Sequence, residues 1–472
     1  MPVITFDRFD LGIDHRKGAS VSDANRLVEM KNAHVTTGLA TEKRPGLTHV
    51  ARLESGTKGL FAANGKLNTF YCGSNTITHA DPLFLANKLT STTYSNVALK
   101  DVPFVDLFNG QFYVAATHTN NHTRHYFNGA EVTDSNCPHT GACLKVASKI
   151  FAVGKDGSTV RFSKTGYPTV WSASYDAGFL PTGLNSRGAR EARALGLYQN
   201  RLAVLMRDGA QVWTVDPDPT RMGLSDVVEN VGTSFGGSLA TVAGDLYFLS
   251  DYGFRSITTM QLIAKLSDVD IGSPIDDLVR PAVRNRGSSI PRAVYFYGTG
   301  KYLCAIGSQV FVYSVSRTAK IAAWSRYEFP VAVEAWTELE GVLYLRSGND
   351  VYKLDEDSYV DEVVNSGGTK TVQRFEVLVQ MPWMNFKKPG VLKHVTGLDI
   401  SMAGECLLSI GTDDRYPDAF TDECRIVGNT YSGGIIPFEC MGNAFSFRFR
   451  NQTDGPFRLD ALSVYHENLG VY

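Results

Sequence analysis

Six side chains able to ligate a metal fall in one short window: His118, His122, His125, Cys137, His139 and Cys143. Zinc takes nitrogen and sulfur ligands tetrahedrally, usually from Cys or His pairs at short fixed spacings. Here Cys137-Pro-His139-Thr-Gly-Ala-Cys143 lacks a Cys-x-x-Cys pair. The His118-x3-His122-x2-His125 run lies in an Asn/Thr-rich stretch that reads as a loop. The window is therefore expected to be an exposed polar insertion, and no metal or other cofactor is expected.

Hydrolytic chemistry finds equally little support. Ser163-Lys-Thr-Gly166-Tyr-Pro-Thr-Val-Trp171 resembles the Asp-box of propeller sialidases only superficially, because it lacks the Asp and its spacings differ. Glycoside hydrolysis needs two carboxyl groups a set distance apart. Asp216, Asp218, Glu338 and Glu340 instead sit near turns, where solvated carboxylates are expected. The phosphate-binding Gly-rich loop, the dinucleotide fingerprint and the serine elbow have no match in the chain. The reading is of a protein without enzymatic activity.

Basic residues gather twice. Arg187, Arg190 and Arg193 lie in a Gly/Ser-rich loop, and Arg280, Arg284, Arg286 and Arg292 follow a short helical stretch. They could touch DNA or an acidic partner surface, or simply be solvated loop charges. The 472-residue chain as a whole carries a net charge of −2, so it has no general nucleic-acid-binding character. A near-neutral wall would still suit a channel through which DNA slides, because a strongly basic one would grip the phosphates.

The elements that must position these residues are β-strands. With 26 Phe, 21 Tyr and 44 Gly, the composition suits aromatic-faced strands joined by tight turns. Alternating strands flank Asn64-Gly65, Asn109-Gly110, Lys155-Asp156-Gly157, Gln199-Asn200, Asp208-Gly209, Gly244-Asp245, Asp251-Tyr252-Gly253, Glu340-Gly341 and Gly348-Asn349-Asp350. Asn-Gly favours a type I′ turn, whose two central residues take positive φ. About seven such units occupy residues 57–355, including one from Val294 to Val315, at spacings that suit propeller blades. A multi-sheet sandwich is the competing arrangement.

The fold is thus expected to be all-β: a β-propeller of about seven blades plus a C-terminal β-sandwich-like platform. Residues 51–358 form the propeller and 359–472 the platform, with strands at Phe375–Val379, Val395–Ile400, Cys406–Ile410, Phe445–Phe449 and Leu459–Tyr465. Residues 1–50 either pack on the platform or close the propeller ring. The best helix candidate is Ser273–Val279, with Ser273 as cap, Pro274 at the first position and Asp276 in the first turn. The opening MPVITFDRFD is not signal-like, and no apolar run reaches the length of a membrane span. Seven scattered cysteines suit reduced thiols and folding inside a cell.

The order of features is similar to one family. Asn25-Arg26-Leu27, Asn32-Ala33, Thr37-Gly38 and Lys43-Arg44-Pro45-Gly46-Leu47 form one string. Phe162-Ser163, Pro168, Trp171-Ser172 and Pro181-Thr182-Gly183-Leu184 form a second, followed by Ala194–Leu197, Arg201–Val204 and Gln211-Val212-Trp213. This order resembles the tail hub or nozzle proteins, also called packaged-DNA-stabilisation proteins, of short-tailed bacteriophages. The resemblance implies a homo-oligomer, a sixfold ring beneath the portal-adaptor connector, assembled in the bacterial cytoplasm and resident in the virion tail. It further implies partners in tail fibres or spikes and in double-stranded DNA passing through the channel, without membrane insertion. Its motifs mark turns, so it transfers no site residue. A glycan-binding propeller or glycosidase is the alternative from another class.

Overall fold

The computed structural model describes residues 2–471 except 174, 186–190, 230, 231, 259–269, 366, 432 and 433. The chain divides into two compact units, Val50–Tyr295 with Val333–Tyr352, and Met1–His49 with Phe296–Ala332 and Lys353–Tyr472.

The first unit is a six-bladed β-propeller. Blade 1 contains Lys58–Ala63, Lys66–Cys72 and Phe84–Leu89; blade 2 contains Leu99–Phe108, Gln111–His118, Thr123–Phe127 and Ala130–Glu131. Blade 3 contains Cys143–Val146, Lys149–Val153, Val160–Phe162 and Gly178–Leu180. Blade 4 contains Ala192–Tyr198, Arg201–Met206, Gly209–Thr214 and Gly223–Glu229, and blade 5 Ala240–Val242, Asp245–Ser250 and Gly253–Ser256. Blade 6 joins Ala335–Leu339, Val342–Ser347 and Asp350–Asp355 to Gly46–Arg52, a strand from near the start of the chain. The ring therefore closes by sharing its last blade between distant parts of the sequence. At the seam between blades 6 and 1, the Ala62 amide donates to the Thr337 hydroxyl at 2.9 Å.

The hairpin turns form as their residues dictate. Asn109 and Gly110 take φ of 50° and 76°, so the two-residue turn twists with its strands. Apolar side chains from facing blades then make the core in layers. Phe70, Val114 and Tyr126 pack between blades 1 and 2, and Phe151, Phe162, Leu202 and Trp213 between blades 3 and 4.

The seventh unit expected from the sequence is not a blade. Lys301–Ile306 and Gln309–Ser316 form the anticipated hairpin, but they continue through Ile321–Glu328 to Glu29–Lys31 in the other unit's sheet. Their alternation matches that of a blade strand, and only the long-range partner tells them apart. The expected boundaries shift accordingly: residues 296–332 leave the propeller, and residues 1–45 share the second unit with 356–472.

In that second unit the strands expected at Val395–Ile400 and Cys406–Ile410 are one continuous strand, Val391–Gly411. Its first part pairs with Phe457–Val471 and Ile436–Gly442. Beyond Gly404 its partners become Cys424–Val427 and Ser446–Asn451. One strand thereby serves two sheets. Phe386 packs against Phe6, Phe445 and His466 in the interior of this unit.

The helix also differs from expectation. Ser273–Ile275 form a 3-10 turn that leads into an α-helix at Asp276–Arg284. Ser273 does not cap it; its hydroxyl donates to the Asp270 carbonyl at 2.9 Å. Among the described residues, no helix is long and apolar enough to cross a membrane.

Candidate functional site

The inner strands of blades 2–5 wall a cavity of about 430 Å³. Phe104, Leu195, Leu197 and Leu246 give it apolar walls, and Asp101, Arg193 and Arg292 bring the charge. Among the described residues lining it, Asp101 is the one carboxylate, and it accepts from the Arg292 guanidinium at 2.5 Å. A carboxylate so held is poorly placed as a general acid, and glycoside hydrolysis wants a second one. The Arg292 carbonyl accepts from the Trp336 indole at 3.1 Å, so both ends of Arg292 tie blades together.

Of the arginines singled out in the sequence, Arg187 and Arg190 lie outside the described residues. Arg193 lies at the cavity, half-exposed, with Glu191 at 3.6 Å. Arg280 pairs with Asp276 one helical turn back, at 3.5 Å, and Arg284 is exposed in the last turn. Arg286 packs its guanidinium over the Phe235 ring at 4.9 Å and donates to the Val283 carbonyl at 2.8 Å. The Phe235–Gly237 segment collects three of these residues: the Arg286 side chain on Phe235, the Arg193 backbone beside Gly236, and Arg292 beside Gly237. The structure thus brings one residue of the first basic group and two of the second to one segment beside the cavity. Nothing local in the sequence links Asp101 to Arg292, 191 positions away.

The His/Cys window is not an exposed insertion. His118 ends one strand of blade 2 and His125 lies within the next, and both are fully buried, as are Cys137 and Cys143 nearly so. Strand alternation turns these side chains inward, and the polar residues between them form the hairpin tip. His122 is exposed at that tip and stacks on Tyr94, 5.5 Å between centroids.

His125 is satisfied by protein groups. Its Nε2 lies 2.8 Å from the Thr140 carbonyl, which can only accept, so Nε2 carries the proton and Nδ1 accepts from the Tyr113 hydroxyl at 2.8 Å. Burial drives its pKa down to about 3 and that of His139 down to about 4, so both are neutral. Burial pushes the Cys137 thiol up to about 12. The ligand atoms of His125, Cys137 and His139 lie within 4.8 Å of one another, a group among the described residues that could hold a metal ion. The Tyr113 hydroxyl already occupies the His125 lone pair that such an ion would need.

No family model matches this chain, and no curated protein matches it. Solved structures similar to it include the exo-β-1,3-galactanase of Phanerochaete chrysosporium, at 12% identity and a TM-score of 0.27, covering 80% of this chain and 98% of that one. BamB from Moraxella catarrhalis is 13% identical with a TM-score of 0.36, covering 75% and 96%. The WD40 β-propeller domain of Doa1 is 11% identical with a TM-score of 0.40, covering 66% and 97%.

Proposed function

We propose that this chain is a non-enzymatic structural subunit of the tail hub or nozzle of a short-tailed phage. In this reading it forms a ring under the portal-adaptor connector, extends the DNA channel, helps retain the packaged genome and anchors fibres or spikes.

The observation that carries the reading is the structural role of the residues in the first resembling string. Asn32, Arg44 and Gly46 are the buried tie-points of the platform. Asn32 Oδ1 accepts from Arg44 and from the Glu328 amide, and Arg44 forms a bidentate pair with Asp361. The Gly46 amide donates to the Ser358 carbonyl at 2.6 Å. A string whose members tie distant strands together is the kind of feature that persists when a fold is kept for its shape. The cavity chemistry agrees with this role, since its carboxylate is committed to an arginine.

Cosedimentation with the purified connector ring of the phage that encodes this chain tests the proposal. Stoichiometric capture at physiological salt is expected. Failure to bind a connector that captures its other tail proteins would overturn it.

A further inference from the structure

The platform unit contains a second cavity, of about 390 Å³, between the Ala33–Val35/Thr41–Lys43 hairpin and the Lys301–Ile306/Gln309–Ser316 hairpin. Two of its polar groups, those of Lys301 and Ser314, have no hydrogen-bond partner among the described residues. Lys301 and Ser314 stand directly opposite each other on neighbouring antiparallel strands, so their side chains share one face. The Ser314 hydroxyl is buried without a hydrogen-bond partner. Lys301 is half-buried, and among the described residues its ammonium makes no hydrogen bond or ion pair within bonding distance. Burial pushes its pKa down to about 8, against the pull of the Glu42 and Glu356 carboxylates. A buried hydroxyl left unsatisfied on this wall costs stability unless something occupies it.

The rest of the lining sorts by chemistry. Lys43 is committed elsewhere, donating to Asn451 Oδ1 and to the Thr453 carbonyl. His34 sits opposite Glu42 across its hairpin, with its Nδ1 3.1 Å from the Tyr327 hydroxyl, and burial beside Lys301 keeps it neutral. Glu42, Glu356, Thr36, Thr37, Thr299 and Tyr359 also line the space. Carboxylates and hydroxyls of this kind pair with vicinal sugar hydroxyls, an aromatic ring packs against a sugar's C–H face, and an ammonium beside a free hydroxyl takes an anionic group.

We propose that this cavity binds an anionic sugar, with its acidic group on Lys301 and Ser314 and its hydroxyls on Glu42 and Glu356. The volume admits a residue of that size with its hydration. The proposal does not rest on the tail-hub reading, because it concerns the platform cavity alone.

Isothermal titration of the full chain with glucuronate, glucose 6-phosphate and glucose tests it. Binding of glucuronate or glucose 6-phosphate is expected, with glucose at least tenfold weaker, and the stronger of the two acids tells carboxylate from phosphate. Lys301→Met and Ser314→Ala, each first shown to keep the wild-type melting temperature, are expected to weaken the acid at least tenfold and about threefold, respectively. If neither acid binds at millimolar concentration, if glucose binds as well as the acids, or if Lys301→Met leaves affinity unchanged, the assignment is wrong. Should Lys301→Met fail to fold, an unchanged affinity in Ser314→Ala overturns it equally.

Discussion

Arg44 and Asp361, 317 positions apart in sequence, meet in a buried bidentate ion pair with N–O distances of 2.9 and 2.6 Å. Both side chains are almost wholly excluded from solvent. The guanidinium also lies 3.7 Å from the Phe375 ring centroid and donates to Asn32, Pro45 and Glu328. Asp361 accepts a further bond from the Leu47 amide. Such pairs add little net stability over an apolar replacement, but breaking one strands the partner charge. Arg44→Met is therefore expected to destabilise the platform by about 3–5 kcal/mol. Arg44→Met with Asp361→Leu should lose less than the sum of the single changes. Urea unfolding of the three variants measures this, and strict additivity would contradict the pairing.

Acid should weaken the fold through its buried histidines. His125 has a folded pKa of about 3 and His139 of about 4, both below the ordinary 6.5. Between those values and 6.5 the unfolded chain binds more protons, so stability is full above about 6.5 and falls as pH drops. Each histidine contributes a slope of at most about 1.4 kcal/mol per pH unit. Burial raises the Glu131 pKa, but hydroxyl and amide donors from Ser91, Thr92 and Thr93 outweigh it and hold it down to about 2, so its contribution is lost as pH falls from about 4.5 toward 2. Unfolding midpoints between pH 6.5 and 4.5 thus report the histidines, and His139→Gln should flatten the slope. A wild-type midpoint independent of pH in that window would contradict it.

Gly46 has no room for a side chain. An added Cβ would lie 2.0 Å from the Val360 carbonyl oxygen, a backbone atom that cannot swing away. Gly46→Ala is expected to cost about 2 kcal/mol or more by pushing the Val360 backbone away from the Gly46 strand. Chemical denaturation tests it, and a wild-type midpoint would mean the two segments separate freely.

The Asp101–Arg292 contact at the propeller cavity should matter to folding rather than to turnover. Asp101→Asn keeps the shape but removes the charge, with an expected loss of about 1.5–3 kcal/mol. Thermal melting of Asp101→Asn and Arg292→Gln checks this. Melting temperatures equal to the wild type would show that the pair is idle.

Much of the fold is legible from local chemistry. The Asn64-Gly65 and Asn109-Gly110 turns form where their residues permit positive φ, and the strands around them alternate as expected. What local pattern cannot supply is the identity of a strand's partner. The Lys301–Ser316 hairpin reads as a blade but hydrogen-bonds into the platform, so the propeller has one blade fewer. The His118–His125 stretch reads as a loop because its polar residues outnumber its apolar ones, yet alternation places both histidines inward. Arg44 is visible as part of a recurring string, while its carboxylate partner lies far along the chain. Lys301 and Ser314 acquire meaning only once their strands pair, and no spacing in the sequence announces that.

The most direct test of the tail-hub account is negative-stain electron microscopy of the purified full-length protein, alone and with its connector ring. The account predicts sixfold rings, either free or seated on the connector. Isolated single particles under both conditions would contradict it and favour a glycan-binding propeller.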